Sequence, residues 1–238
     1  ARLWDGVADH LVELGHGSIA VDQRGHGTSS KPDDGYDFAT VADDLAAVIE
    51  QALGRPAVLA GQSWGGNVVV EFARRHPDLV SGIVCVDGGF IQLAEAFPVW
   101  DDARAALAPP DFTGFTMEQI ETMSKTRFAD WPQSGIAGQL ANFETVDGHA
   151  RARLSRSNHM RILRHLWEHR PDEAAKDVDV PALVLAVGRS EPGREERVDS
   201  FVNALPDGRL TWMDAHHDVH AQHPGLVADL MATFAGGI

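Results

Sequence analysis

Cysteine is almost absent from this sequence. The single one, Cys85, has no partner in the chain, so there is no disulfide framework and no oxidising compartment is implied. Basic residues are scarce as well: 20 Lys and Arg stand against 35 Asp and Glu, a formal charge of −15. A surface of that sign repels phosphate backbones and anionic bilayers, which argues against nucleic-acid and membrane partners. No apolar run approaches the ~20 residues that span a bilayer, and no signal-peptide pattern opens the sequence. Proline and glycine, 12 and 23 of 238 residues, sit near average usage, which excludes fibrous and disordered chains. The expectation is a soluble, cytoplasmic protein, monomer or homodimer, that acts on a small molecule and can bury a full core.

What is present is an alternation of helix and strand patterns. Residues 3–12 form an amphipathic helix with Leu3, Val7, Leu11 and Leu14 on one stripe. Residues 18–22 read as a short buried strand, followed by a glycine-bearing loop at 23–32. A helix over 38–53, a strand at 56–60, a helix at 64–75 and a strand at 82–87 continue the series. The pattern returns with a strand at 182–187, a helix at 195–205, a strand at 209–213 and a helix at 226–234. Such alternation predicts an α/β fold with a mostly parallel, doubly wound sheet covered on both faces. Over residues 89–177 the alternation disappears and no strand pattern stands out. This stretch reads as an inserted helical cap over the carboxyl edge of a discontinuous core, 1–88 and 178–238. About half of its aromatic residues are expected to fill its own interior, while Phe90, Trp100 and Trp131 are candidates to line a substrate pocket.

The sharpest local motif is Gly61-Gln62-Ser63-Trp64-Gly65, which leaves a strand and opens a helix. Glycines two residues either side of a serine let the chain turn without Cβ clashes and lift the hydroxyl above the sheet edge. The same turn sets Ser63 at a helix N-terminus, where free N–H groups stabilise a developing oxyanion. The Trp64 N–H is the first such donor, and Gln62 flanks the same spot. A serine nucleophile needs a base. Of twelve histidines, His216, His217, His220 and His223 cluster after the last strand, and serine first with histidine last is the order this arrangement uses. A metal site is the rival reading, because His217, His220 and His223 are spaced by three, but no carboxylate or thiolate cluster accompanies them. No metal and no cofactor is expected.

These segments together resemble the α/β-hydrolase fold superfamily along essentially the whole chain. Asp22-Gln23-Arg24-Gly25-His26-Gly27-Thr28-Ser29 is similar to the family's D-x-R-G-x-G-x-S loop, and residues 61–66 to its nucleophile elbow. The resemblance implies a catalytic histidine seven residues before the proline that opens the last helix; counting back from Pro224 gives His217. It implies an acid after the penultimate strand, where Glu191 stands in Gly188-Arg189-Ser190-Glu191. Some relatives carry the acid after the strand that follows the nucleophile helix, where this chain has Asp87. Both stand as candidates, with Glu191 slightly ahead. In the family a strand ending in His-Gly precedes the first helix found here and supplies the second oxyanion N–H. It lies between the strands read at 18–22 and 56–60, and without it a gap of about 10 Å would separate them. The expectation is therefore that these residues belong to a longer chain.

The resemblance implies a cofactor-free serine hydrolase that cleaves an ester, lactone or similar carbonyl compound through an acyl-enzyme on Ser63. A serine nucleophile argues against the branches of the family that attack saturated carbon with a carboxylate. The alternatives are a lyase or a cofactor-independent oxygenase on the same fold, and a non-catalytic ligand-binding module.

Overall fold

Helix α1 (Asp5–Glu13) opens the fold in the computed structural model, which describes residues 1–238. An irregular stretch leads to α2 (Phe38–Ala52), whose first turn is capped by Asp37: its carboxylate accepts the Thr40 N–H at 2.9 Å. Strand β1 (Ala57–Gln62), helix α3 (Trp64–Arg75) and strand β2 (Val80–Val86) follow. Then come α4 (Leu93–Ala96), α5 (Trp100–Ala106), α6 (Met117–Arg127) and α7 (Gln133–Leu140). A hairpin of β3 (Phe143–Val146) and β4 (His149–Ala152) precedes α8 (Arg156–Glu168) and α9 (Pro171–Ala175). The chain closes with β5 (Ala182–Val187), α10 (Arg194–Ala204), β6 (Gly208–Met213), α11 (Val219–Gln222) and α12 (Pro224–Ala235).

The main sheet has the order β1-β2-β5-β6, and every pairing in it is parallel. Side chains alternate across it with a period of two. Ile83 and Cys85 of β2 and Val184 and Ala186 of β5 pack with α2, α3 and α10 on one face. Val84, Val86, Leu183, Leu185 and Val187 pack with α1 and α12 on the other. Both faces are thus dry, which is why β2 and β5 are nearly continuous apolar runs. The register pairs Gln62 with Val86 and Val86 with Leu185, so the strands end together. The residues that follow them emerge along one edge.

Two expectations are corrected. Residues 18–22 form no strand: no other strand lies beside them, and β1 is an edge strand whose outer side pairs with nothing. Without a ladder, residues 18–20 stay in water, with Ile19 53% exposed, while Val21 packs partly against the larger core. Residues 89–177 are mostly helical, yet they contain the hairpin of β3 and β4. Its turn is Asp147-Gly148, both at positive φ (50° and 80°), as a two-residue hairpin turn requires.

The stretch between β2 and β5 meets the loops at the carboxyl ends of the strands. In α8, the buried Asn158 amide donates to the Tyr36 hydroxyl at 2.6 Å, fastening that helix to the segment before α2. Gln222 of α11 donates to the Asp130 carboxylate at 2.5 Å, fastening the histidine loop to the end of α6. Phe201 of α10 is fully buried in the larger core, so Phe201→Ala is expected to cost about 3–5 kcal/mol in urea unfolding. Ile19→Ala should stay within ~0.5 kcal/mol, as exposed substitutions do; a loss comparable to that of Phe201→Ala would mean that 18–22 is core strand after all.

Candidate active site

Ser63 occupies the turn between β1 and α3 with φ 53° and ψ −124°, a conformation an L-residue adopts only when its surroundings impose it. They do so by close packing. A Cβ on Gly61 would fall 2.0 Å from the Gly65 carbonyl oxygen, so glycine alone fits there. The Ser63 N–H donates to the Val86 carbonyl at 3.0 Å, which locks the turn to the end of β2. Trp64 is the first residue of α3, and the N–H groups of a first helical turn have no partner within the helix. Its indole stacks on the His26 ring, with centroids 5.6 Å apart. His26 belongs to the loop that Arg24 fastens to α2 by a two-point contact with Asp44, at 2.5 and 2.7 Å.

One residue beyond β2 stands Asp87, buried and also at positive φ, 41°. Its N–H donates to the Leu185 carbonyl at 2.7 Å, which continues the ladder to β5 past the end of the strand. Its carboxylate is fully engaged. Oδ1 accepts the Val187 N–H at 3.2 Å and the Arg194 guanidinium, while Oδ2 accepts the Nδ1–H of His217 at 2.5 Å. His217 lies in the loop between β6 and α11, and the Gln62 side-chain amide donates to its backbone carbonyl at 3.2 Å. The histidine loop is therefore seated against the elbow that carries Ser63. With Nδ1 bound to Asp87, Nε2 on the far side of the ring is the nitrogen left to accept a proton. No hydrogen bond joins it to Ser63 Oγ in this structure.

Partial burial works against the His217 imidazolium, but the hydrogen bond and charge of Asp87 outweigh it. The ring titrates above the ordinary histidine value. Burial lifts the neighbouring Asp218 carboxyl above its usual range. Burial also pushes His220 down to about 3, so that fully buried ring stays neutral. The three histidines spaced by three do not converge: His217 faces Asp87, His220 packs against Trp4 at 4.5 Å, and His223 precedes Pro224 at the start of α12 without a side-chain capping bond.

The residues proposed from sequence divide as follows. Ser63, Trp64, Gln62, Asp87 and His217 come together at the carboxyl ends of β1 and β2. Glu191 does not: its side chain is 63% exposed and faces Arg194 at 3.8 Å, not His217. The preference for Glu191 over Asp87 is thus reversed by the geometry, because the turn at 188–193 points its carboxylate outward. Gln62 braces the histidine loop. Trp131 is buried against Phe128 and meets His216 edge-on at 5.7 Å, beside the site. Phe90 is buried in the larger core against Phe201. Trp100 packs on Trp167 and under Arg164. Arg194 was not anticipated. The helix read from residue 195 starts at Arg194 in the structure, and only that boundary shows a cation at its first position, where it opposes the helix dipole.

Known proteins share this architecture. A family model described as alpha/beta hydrolase fold matches residues 1–135. The 2-(acetamidomethylene)succinate hydrolase of Mesorhizobium japonicum is 32% identical over 171 residues, 71% of this chain. The match spans 59% of that relative's own length. A non-heme chloroperoxidase of Streptomyces lividans is 28% identical over 224 residues, covering 85% of this chain and 72% of that protein. Among solved structures, that of E-2-(acetamidomethylene)succinate hydrolase superposes with a TM-score of 0.80 at 25% identity, over 99% of this chain and 87% of that one.

The two acid candidates can be separated without a substrate. In an NMR titration of the histidine rings, Asp87→Asn should lower the His217 midpoint, since it deletes the charge that favours the imidazolium. Glu191→Gln should leave that midpoint in place. A midpoint that follows Glu191 instead would return the acid to the later loop.

Proposed function

For a chain that belongs to the α/β-hydrolase fold family, we propose a cofactor-free serine hydrolase in which Ser63 is the nucleophile, His217 the base and Asp87 the acid. The observation that carries this reading is the Asp87–His217 hydrogen bond of 2.5 Å on a histidine loop held against the strained elbow of Ser63. In the reaction His217 takes the Ser63 proton on Nε2 as Oγ attacks a carbonyl carbon. Asp87 holds the ring in the tautomer that leaves Nε2 free and stabilises the imidazolium that forms. The Trp64 N–H faces the oxyanion, the imidazolium protonates the leaving group, and water attacks the acyl-enzyme by the reverse route.

Small carbonyl compounds are the proposed substrates: esters, lactones and similar acyl derivatives, with Trp131 beside the site as the best placed of the aromatic candidates. The relative from Mesorhizobium japonicum supports including an N-acyl compound such as 2-(acetamidomethylene)succinate in a first panel, with p-nitrophenyl esters of varied chain length and lactones.

A fluorophosphonate probe should label the protein at Ser63. Ser63→Ala should abolish labelling and reduce turnover of any panel substrate by about three orders of magnitude or more, with the fold retained. Because His217 must be neutral to act and titrates above its ordinary value, kcat/KM should fall as pH drops through a midpoint above ~6.5. Dialysis against a chelator should change nothing. Full activity in Ser63→Ala would remove the acyl-enzyme, and loss of activity to the chelator would return the histidine cluster to the metal reading.

A further inference from the structure

Asp87 has two oxygens, and the proposed mechanism uses one. The other is held by Arg194, the first residue of α10, whose Nη2 donates to Oδ1. The same guanidinium donates through Nε to the Val187 carbonyl at 2.8 Å, while the Val187 N–H donates to Asp87 Oδ1 at 3.2 Å. Carboxylate, guanidinium and the end of β5 therefore form a closed ring of three hydrogen bonds. The planar fork of the guanidinium makes two of them at once from fixed donors. The guanidinium also lies over the Phe90 ring, 5.2 Å from its centroid, and the Arg194 side chain is 18% exposed against 1% for Asp87.

A helix start is a poor place for a cation, and the next two residues, Glu195 and Glu196, are the type that suits it. The position of Arg194 is explained by Asp87, not by α10. Gly193, left-handed at φ 69°, turns the chain so that the side chain reaches back to β5. We propose that Arg194 is a positioning residue: it fixes the Asp87 carboxylate with Oδ2 toward His217, and through that contact sets the proton affinity of the imidazole. Its catalytic consequence rests on the serine-hydrolase reading; the coupling to His217 does not.

The charged groups around the His217 ring come from several elements. Asp87 reaches it from the end of β2 and Arg194, behind Asp87, from α10; Asp218 and His216 lie on its own loop, His220 in α11, and Arg127 of α6 acts on Asp218. Among them Asp87 alone bonds the ring. Arg194 opposes the pull of Asp87 on the imidazolium, so removing its charge lets that pull act in full. Loss of the Arg194 charge raises the His217 midpoint for a plain counter-ion and for a positioning residue alike. The positioning role is read where the charge is kept and the fork is lost.

Two variants separate charge from geometry. Arg194→Gln keeps a hydrogen-bond donor and removes the charge; Arg194→Lys keeps the charge as a point and loses the fork. The readouts are the His217 ring titration by NMR, thermal unfolding, and the rate at which a fluorophosphonate labels Ser63 across pH. Arg194→Gln should move the His217 midpoint up by about one pH unit. Arg194→Lys should keep the midpoint within a few tenths of a unit of native while the labelling plateau drops about tenfold, since a single ammonium cannot span Asp87 and Val187. A folded Arg194→Gln protein whose His217 midpoint is unmoved or lowered overturns the proposal. Whether or not that variant folds, a folded Arg194→Lys protein with the native labelling plateau overturns it as well. Native protein that resists the probe, together with the upward shift in Arg194→Gln, removes the serine-hydrolase reading and leaves the Arg194 coupling standing. Native labelling with an unmoved midpoint does the reverse.

Discussion

The carboxylate of Asp87 is the point at which the sheet and the site become one structure. Its backbone N–H extends the ladder to Leu185, and its side chain returns to the N–H of Val187 on the same neighbouring strand. Where the carboxylate lies is thus decided by the register of β2 on β5. A slip of one residue would turn every β2 side chain to the opposite face and carry Asp87 away from His217. Ser63 is tied to the same place. Gly88 follows Asp87 directly, and a Cβ there would fall 2.2 Å from the Ser63 carbonyl oxygen. The strained turns at Ser63 and Asp87 therefore interlock, each held in a sparsely populated conformation by the other's backbone. Replacing Gly88 by any larger residue forces one of them to move.

Features with a local cause were readable in the residue order. The elbow is one: the need for glycine at position 61 comes from contacts within four residues along the chain. The buried strands are another, because β2 and β5 must be apolar on both faces and therefore stand out as runs. His217 was picked out by resemblance, by the family's spacing counted back from Pro224; in the structure the short α11 lies between that histidine and the proline-led α12. Features with a non-local cause were not readable. Residues 18–22 have the composition of a strand, but pairing depends on a neighbour that composition does not supply. The hairpin of β3 and β4 did carry a local sign in Asp147-Gly148, with Phe143 and Val146 before it. Strands of four residues are too short for their alternation to stand out among the surrounding helices. Glu191 and Asp87 are both carboxylates just past a strand end, and only the path of residues 188–193 shows which one reaches His217.

The site also sets activity against stability. A histidine whose folded pKa is raised stabilises the fold fully below its unfolded value near ~6.5, and that contribution is lost as pH rises through the folded value. Asp218 acts in the same sense: its raised folded pKa makes the fold prefer the protonated acid, so ionisation at higher pH works against it. The proposed chemistry needs neutral His217, the state found above that window. In this reading the protein works where both groups have given up a proton and the local contribution to stability is smallest. A catalytic base with a charged partner at hydrogen-bond distance has this property by construction.

Asp87 bonds His217 from the end of β2, so the loop after β5 carries no group to that ring. Residues 188–193 run from β5 to α10 between two left-handed glycines, Gly188 at φ 68° and Gly193 at φ 69°. Were Glu191 the acid, this loop would have to project a carboxylate over the sheet edge and hold it there. Glu191 instead lies largely in water, its carboxylate folded over Gly188 and 3.8 Å from the Arg194 guanidinium. What the loop delivers to the sheet edge is a cation, returned onto the Val187 carbonyl by the second glycine turn. An acid at the end of β2 is buried more deeply than one on a surface loop, and a buried carboxylate bonded only to neutral donors is costly to keep ionised. Arg194 supplies the missing charge from the loop that the acid does not use. Carboxylate and arginine are in this sense one solution: Arg194 also meets the Val187 carbonyl, the Phe90 ring and, at 3.8 Å, Glu191, but Asp87 is the one buried charge among its partners.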